Sequence, residues 1–531
     1  MLLSLLEFMV MGRIEYKPKV FFAALQAFWP SVFLGVLWIT LVAWRPAFFG
    51  FYHDDWSSVA VPLDRSSDLA SLLAADPSRP LYIIVLYILR WLLSGKVVLW
   101  QSLLAFVHFL NAIAIYRLAG YLFSSAQPER SRVPSVVGAA LWLLYPWSLG
   151  YSAWAIMLPP DIGMLLAVSG MLMVMRPGLD LKRVYFAILL LVLSWLIYEA
   201  TWMLWLPFSL VLLMRARKST GLRPVAWRFF WGSLLAQVVF IILNRVISAQ
   251  SSHGKKLSAS ILALLDTDRY LFVNQLLPSL WSYQFIGYSL LLLLACLLLN
   301  VRRCIALPAR GWVLFCMILG LVVSQLLYAA AGYAIEWTGL FSRVTLPVSF
   351  WLSLAFASLF SMAWSGARPY VKTALVVALA GVAVPLSYSL VEQSSFWAKS
   401  WEEQQNLLKM LPQNVTSVVG EDRMLVVDAP RGTPPVFTFS AYWDISAALV
   451  PYVPAYANEK RPHEFATMLR KDEWRTTWDG EVLTQYWCTS RDIPLWKLDA
   501  KHVYLWRYPA QQATALTAPY DSGCGTSSAK K

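Results

Sequence analysis

The first long apolar stretch of the chain, residues 20–44, reads VFFAALQAFWPSVFLGVLWITLVAW and contains no charged side chain. A helix needs about 20 mainly apolar residues to cross the hydrocarbon core of a bilayer. In lipid, apolar sequence favours a helix because a helix satisfies all of its own backbone hydrogen bonds. This stretch is therefore predicted to form the first transmembrane helix.

Similar stretches recur through residues 1–391, and the sequence predicts an α-helical polytopic membrane protein with about eleven transmembrane helices. The composition agrees, because 58% of the 531 residues are hydrophobic and only 14% are charged, whereas about a quarter of the residues in soluble domains are charged. The ten later stretches lie at 97–119, 134–154, 160–175, 184–198, 200–214, 228–248, 282–300, 311–334, 340–364 and 371–391.

The short loops between these stretches alternate between basic and weakly charged, and this alternation predicts the orientation of the chain. The basic set includes residues 215–228, which hold five Lys and Arg side chains. Basic loops remain in the cytoplasm, so the N-terminus is predicted to be cytoplasmic and the C-terminal region periplasmic or extracellular.

Residues 80–94 are also apolar, but a crossing there would reverse the orientation of every later loop. We therefore predict that they form a re-entrant or surface-lying helix. The net charge of +14 is attributed to the basic loops, and nucleic-acid binding is not expected.

From residue 392 onward the composition changes, and we predict a small α/β domain outside the membrane. Charged residues become regular, and the runs MLVVDAP, PVFTFSAYWD and HVYLWRYP have the β-branched and aromatic content of strands. The Ser/Gly/Lys-rich tail from Thr517 is predicted to be disordered. Cys488 and Cys524 would form a disulfide in an oxidising compartment, or else remain two thiols.

The first outer loop, residues 45–97, contains the sequence HDDW at residues 53–56. Asp54 and Asp55 are adjacent carboxylates at the membrane boundary, where they repel each other and lose hydration. A cation, a metal ion or a network of sugar hydroxyls is expected to compensate. The alternative is a solvated loop in which an Asp caps a helix.

The layout of residues 20–390 resembles the bacterial GT-C glycosyltransferase superfamily, and among these enzymes the GtrII-type glucosyltransferases of O-antigen modification. The resemblance rests on the Asp pair and on four further motifs. These are the Ser-Arg-Pro-Leu element at 78–81, His108 with Asn111, the Tyr198-Glu199 pair, and the late outer loop GLFSRVTLP at 339–347. Inter-helix hydrogen bonding is the expected use of His108 and Asn111.

The resemblance implies an integral protein of the bacterial inner membrane that takes a sugar from a polyprenyl-phosphate carrier. The acceptor would be an extracytoplasmic glycan or a lipid-linked saccharide. Asp54 would be the general base that accepts the proton of the acceptor hydroxyl. Asp55 would orient the acceptor or hold a divalent cation such as Mg²⁺ or Mn²⁺, although the reverse assignment of the two acids stays open.

The carrier phosphate leaves as an anion, and Arg suits phosphate because it offers a planar pair of donors. Arg79 and Arg343 are the candidates on the outer side, together with His253, Lys255 and Lys256 in a long loop. For the arginines the alternative is an interfacial side chain that snorkels to water, and for the loop it is simple solvation.

Acidic and aromatic residues near these positions are candidates for binding the sugar. They are His53, Trp56, Tyr198, Glu199 and Glu336. An acid at membrane depth usually faces a cavity or a partner, although Glu199 would equally suit an outer turn.

Two other classes of protein also fit the sequence. A transporter or flippase of lipid-linked saccharides would need polar residues along a path across the membrane, whereas the polar residues here gather at the outer edge. A non-catalytic scaffold for envelope assembly is the second alternative.

Overall fold

The computed structural model describes residues 18–60, 69–75, 79–123, 129–176, 180–217, 223–248, 308–330, 339–365, 367–411, 423–429, 436–439, 444–450, 466–469, 474–488, 490–510 and 512–524. Several residues named above lie outside these ranges, namely His253, Lys255, Lys256, Glu336 and the predicted span at 282–300.

Helices occupy most of the described apolar stretches. In chain order they are α1 (Pro18–Leu41), α2 (Leu69–Ala75), α3 (Pro80–Leu93), α4 (Val97–Phe123), α5 (Glu129–Leu144), α6 (Leu149–Ser152), α7 (Leu158–Met175), α8 (Leu181–Ile197), α9 (Trp205–Ala216), α10 (Arg223–Ser248), α11 (Pro308–Ala330), α12 (Leu346–Trp364), α13 (Pro369–Met410) and α14 (Asp444–Leu449).

Six helical segments in the described part of the chain are long and apolar enough to cross a membrane, which makes the chain an integral membrane protein. They are Phe28–Ala47, Val97–Phe123, Ala155–Met175, Arg223–Leu243, Ser342–Trp364 and Pro369–Met410. A pair bent by 58°, Ser131–Leu144 with Pro146–Ser152, would make a seventh.

The predicted number of eleven is not confirmed. The helix α9 has 12 residues, so it extends only about 18 Å and is too short to cross a bilayer alone. Residues 80–94 form the short apolar helix α3. It ends at Ser94 in the left-handed conformation and so continues no further toward α4.

The helix α13 differs most from the predicted layout, because it has 42 residues and runs without a break through the boundary expected at residue 391. Its length of about 63 Å is roughly twice the thickness of the hydrocarbon core. The helix α13 is therefore too long to lie wholly within the bilayer, and its C-terminal half contains the polar sequence SWEEQQNLLKM.

The C-terminal region contains two four-stranded sheets. The first has the order β2-β1-β6-β7, in which β1 (Arg423–Asp428) runs parallel to β2 (Ala466–Met468) and β6 (His502–Arg507), and β7 (Thr514–Ala515) is antiparallel. The second is antiparallel with the order β5-β4-β3-β8, formed by β3 (Trp474–Trp478), β4 (Val482–Trp487), β5 (Ser490–Asp499) and β8 (Tyr520–Asp521).

Two local predictions for this region differ from the structure. Residues 436–439 of the run PVFTFSAYWD form no strand, and its last residue, Asp444, begins the helix α14. Residues 517–524 of the tail are ordered, since β8 pairs with β3 and Cys524 is disulfide-bonded to Cys488, with 5.8 Å between the Cα atoms.

The membrane part and the C-terminal region share a hydrophobic cluster, which contains Phe51 and Trp56 of the first outer loop, Leu407 of α13, and Leu425 and Phe439 of the C-terminal region. Gly50 lies at a close approach within this contact. A Cβ atom on Gly50 would lie 1.8 Å from the ring of Trp401, which belongs to the C-terminal half of α13. The first outer loop thus packs directly against α13.

We expect Gly50→Ala to lower the melting temperature of the detergent-solubilised protein, because the added methyl group must displace Trp401. Overpacking of this kind costs about 1–3 kcal/mol. Gly35→Ala in α1 is the matched control, since a Cβ atom there meets nothing within 4 Å. Equal melting temperatures for the two variants would contradict this packing.

Candidate functional site

Residues 50–56, called the acidic loop below, are held by side chains and backbone groups from several elements. Gln101 of α4 donates from Nε2 to the carbonyl of Gly50 at 2.7 Å and to that of Ala153 at 3.0 Å. The hydroxyl of Tyr52 donates to the carbonyl of Trp397 in α13 at 2.8 Å, and Trp154 donates from its indole to the carbonyl of Tyr52 at 2.8 Å. The backbone of the acidic loop is therefore fixed on both sides.

Asp55 is completely buried and accepts three backbone hydrogen bonds. The donors are the N–H groups of Tyr52 at 3.0 Å, Ala155 at 3.3 Å and Ile156 at 2.7 Å. Burial raises the pKa of the Asp55 carboxyl above its usual range, and the three N–H donors oppose this effect. These contacts tie the acidic loop to the turn that precedes α7, so Asp55 supports the fold of the site.

Asp54 has a different environment, since 37% of its side chain is exposed. One carboxylate oxygen lies 3.0 Å from Nδ1 of His53, and the same nitrogen lies 3.6 Å from Oδ1 of Asp444. Asp444 is fully buried at the start of α14. His53 is therefore placed between one accessible carboxylate and one buried carboxylate, and the second comes from the C-terminal region.

Burial alone would lower the pKa of His53, but Asp444 and Asp54 together raise it to about 10, against an ordinary value of 6.5. The imidazole is thus a cation at neutral pH.

The backbone of His53 is in the left-handed region, with φ 46°. This strain in a non-glycine residue is stabilised by the contacts of the ring, which also stacks on Trp154 with 5.7 Å between ring centroids.

We expect His53→Asn to remove a pH-dependent part of the stability, and Asn tolerates the left-handed backbone. Because the folded pKa lies above the unfolded value, the stabilisation is fully present below about pH 6.5 and is lost as the pH rises through about 10. Melting temperatures of the native protein and of His53→Asn, measured from about pH 6 to about pH 11, should therefore converge at the alkaline end. A constant difference in melting temperature across this range would contradict a positively charged His53 in the folded protein.

Trp56 was expected to contact substrate, but the structure places it within the packing of the site. The side chain is 6% exposed, its indole donates to Oε1 of Gln404 at 2.7 Å, and its ring stacks on Trp401. A buried Tyr or Trp usually finds a hydrogen-bond partner in this way. Trp56 therefore joins the acidic loop to α13.

Arg343 lies in a 3₁₀ turn, Leu340–Thr345, that leads into α12. Its guanidinium carbon lies 4.9 Å from the ring centroid of Trp154, the same ring on which His53 stacks. The turn packs closely on Gly150, where a Cβ atom would lie 2.4 Å from the backbone nitrogen of Arg343. Trp154 thus brings Arg343 close to the acidic loop.

Arg79 and Glu199 form an ion pair, with 35% and 32% of their side chains exposed. The guanidinium of Arg79 also lies over the ring of Tyr198 at 6.0 Å, and the Tyr198 hydroxyl is hydrogen-bonded to that of Tyr328 at 3.1 Å. Arg79, Glu199, Tyr198 and Tyr328 therefore form one cluster.

The two groups lie at one end of the helical bundle. The acidic loop follows α1, Tyr198 and Glu199 follow α8, and Arg343 precedes α12. The structure thus brings together most of the residues selected from the sequence, namely His53, Asp54, Asp55, Arg79, Tyr198, Glu199 and Arg343.

Deeper in the bundle, Asn111 of α4 donates to Oδ1 of Asp161 in α7 at 2.9 Å. His108, on the same helix, is buried, with Nδ1 3.8 Å from Oδ2 of Asp161. The expectation that these residues bond between helices is confirmed for Asn111.

Within the ranges that the structure describes, no group of three or more His, Cys, Asp or Glu side chains is arranged to hold a metal ion. Both oxygens of Asp55 accept backbone N–H groups in the structure. The divalent cation expected at Asp55 stays a prediction.

Sequence reasoning missed three residues of the site, Asp444, Trp154 and Tyr328. Asp444 lies about 390 positions from His53 in the chain, so no local pattern connects them. Trp154 and Tyr328 lie in apolar stretches, where aromatic residues are ordinary. An aromatic residue at the outer end of a predicted span is the one signal that could have selected Trp154.

The chain matches no protein-family model and no curated protein. A solved structure that it resembles is the archaeal oligosaccharyltransferase AglB from Archaeoglobus fulgidus in complex with an inhibitory peptide and a dolichol-phosphate. The identity is 13% and the TM-score 0.42, over 83% of this chain and 64% of that chain. The chain thus corresponds to less than two thirds of the length of AglB, and a similarity this weak establishes neither family nor function.

Proposed function

We propose that the protein is a GT-C-like membrane glycosyltransferase that moves a sugar from a polyprenyl-phosphate carrier to an extracytoplasmic glycan or lipid-linked acceptor. The observation that carries the proposal is Asp54, an accessible carboxylate on a fixed loop at the same end of the bundle as Arg79 and Arg343. Glycosyl transfer needs a base on the acceptor and a cation for the leaving phosphate.

In the proposed reaction, Asp54 accepts the proton of the acceptor hydroxyl while the hydroxyl oxygen bonds to the anomeric carbon. The bond between that carbon and the carrier phosphate breaks, and its electron pair leaves with the phosphate. Asp54 suits this role better than Asp55, because a base must reach the proton that it removes.

Arg343 and Arg79 are the proposed partners of the leaving phosphate. Arg343 lies against the face of Trp154 and so is oriented before the donor arrives. Arg79 is already paired with Glu199, so its contact with a phosphate would require this ion pair to rearrange. We therefore propose Arg343 as the main phosphate ligand and Tyr198 and Glu199 as sugar contacts. The remaining proposed ligands, His253, Lys255, Lys256 and Glu336, lie outside the described residues.

The extracytoplasmic location is supported by the disulfide between Cys488 and Cys524, since disulfides persist in oxidising compartments. The C-terminal region supplies Asp444 to the acidic loop, so we propose that it completes the site. The periplasm of a bacterium, outside its inner membrane, is the proposed setting.

A transfer assay tests the proposal. Purified protein would receive radiolabelled hexosyl and pentosyl polyprenyl phosphates together with a membrane glycan extract, and we expect label in the glycan. The same protein in liposomes would be tested for movement of an unreacted lipid-linked saccharide. Movement without transfer would favour the flippase, and neither activity across the whole panel would favour the scaffold.

A further inference from the structure

A groove of about 590 Å³ lies between the helices α9, α10 and α11, away from the acidic loop. Met214 and Cys316 line it, with 3.8 Å between their sulfur atoms. Trp227, Trp312 and Phe315 form its walls, and about half of each of these side chains is exposed. The groove is therefore an apolar channel that opens at the surface of the bundle.

Two arginine side chains line this groove. Arg217 follows the last residue of α9 and Arg223 begins α10, and both are exposed. No acidic side chain is found among the described residues that line the groove. Its lining thus combines an apolar wall with two guanidinium groups.

The position of the groove follows from the direction of the helices. Trp312 is near the start of α11, whereas Tyr328, which contacts Tyr198 of the candidate site, is near its end. Sixteen residues of helix separate them, which is about 24 Å. The groove and the candidate site therefore lie toward opposite ends of α11, and the groove includes Arg217 and Arg223 of the basic stretch at 215–228.

We propose that this groove binds an anionic glycerophospholipid of the surrounding bilayer, with an acyl chain along the aromatic wall and its phosphate between Arg217 and Arg223. Basic pockets between transmembrane helices at the cytoplasmic surface bind such headgroups. Paired guanidinium groups suit a phosphodiester because each offers planar donors. A polyprenyl-phosphate donor has similar chemistry, but its proposed reaction takes place at the other end of α11. The proposal does not depend on glycosyl transfer.

Native mass spectrometry of the full-length protein would measure binding of phosphatidylglycerol and of phosphatidylcholine with identical acyl chains. We expect a preference for phosphatidylglycerol that falls about 30-fold in the double variant Arg217→Gln/Arg223→Gln. Arg176→Gln/Lys182→Gln is the matched control, because both residues are exposed near α7 and α8 at the same membrane face. This control variant should keep the preference for phosphatidylglycerol over phosphatidylcholine.

A second measurement locates the lipid and does not depend on charge variants. Phosphatidylglycerol with brominated acyl chains should quench tryptophan fluorescence less in Trp227→Phe/Trp312→Phe than in the native protein. The proposal would be overturned if the native protein bound the two phospholipids equally, or if Arg217→Gln/Arg223→Gln and Arg176→Gln/Lys182→Gln lost the preference for phosphatidylglycerol to the same extent. Unchanged quenching in Trp227→Phe/Trp312→Phe would also overturn it. Displacement of phosphatidylglycerol by undecaprenyl phosphate at lower concentration would show that the groove serves a different lipid.

Discussion

Replacement of Asp54 by Asn should reduce sugar transfer by about 10²- to 10⁴-fold, the usual contribution of a general base. Asn keeps the shape of the side chain but cannot accept the proton of the acceptor hydroxyl. Folding should be nearly unaffected, because more than a third of the Asp54 side chain is exposed, while Asp55, Tyr52 and Gln101 make the bonds that hold the loop. Initial rates with labelled donor and melting temperatures would be measured together.

Asp499→Asn is the control for this variant, since Asp499 is an exposed acid of the C-terminal region on strand β5. It removes the same charge on the same side of the membrane and should leave transfer unchanged. Full transfer by Asp54→Asn, or an equal loss in the control, would overturn the role of Asp54. Loss of transfer only in a well-folded Asp55→Asn protein would favour the reverse assignment of the two acids.

The membrane helices could be predicted from the sequence because the signal is long and local. A run such as residues 20–44 has too little polar surface for any other environment. The limits of α13 could not be predicted in this way. Beyond residue 391 its sequence is polar, and its helix is instead stabilised by contacts of Trp397, Trp401 and Gln404 with the acidic loop. Those partners lie about 345 positions earlier in the chain.

In the C-terminal region, strands were predicted correctly for buried runs, and the prediction failed where tertiary contacts determine the secondary structure. The runs MLVVDAP and HVYLWRYP contain the neighbouring strands β1 and β6. The run PVFTFSAYWD has the same residue types, but Asp444 at its end is buried beside His53 at the start of a helix. The preference of a sequence for a strand depends strongly on such surroundings.

The sequence located the acidic pair, but it could not separate the roles of Asp54 and Asp55. In the chain they are adjacent and chemically identical. The difference comes from residues 155 and 156, whose N–H groups point at Asp55. Adjacent side chains in an irregular loop commonly point in different directions, and here Asp55 is fully buried while 37% of the Asp54 side chain is exposed.

Asp55→Ala should therefore destabilise the protein far more than any substitution of Asp54. Removal of the carboxylate leaves three buried N–H groups without their acceptor, and each unsatisfied group costs about 1–3 kcal/mol. Because the surrounding structure relaxes in part, we expect the free energy of unfolding of Asp55→Ala to fall by on the order of 3 to 5 kcal/mol. Asp55→Asn should fall between Ala and the native protein, because its single amide oxygen can replace only part of the acceptor set.

The melting temperature and the half-life at elevated temperature would be measured in detergent, since membrane proteins often unfold irreversibly. Asp54→Ala is the matched control, as it removes the neighbouring carboxylate while the three N–H groups keep Asp55 as their acceptor. If Asp55 held a catalytic ion and did not support the acidic loop, Asp55→Ala would lose transfer while its melting temperature stayed that of the control. The opposite pattern, a low melting temperature in Asp55→Ala and a normal one in inactive Asp54→Asn, would separate the residue that builds the site from the residue that acts in it.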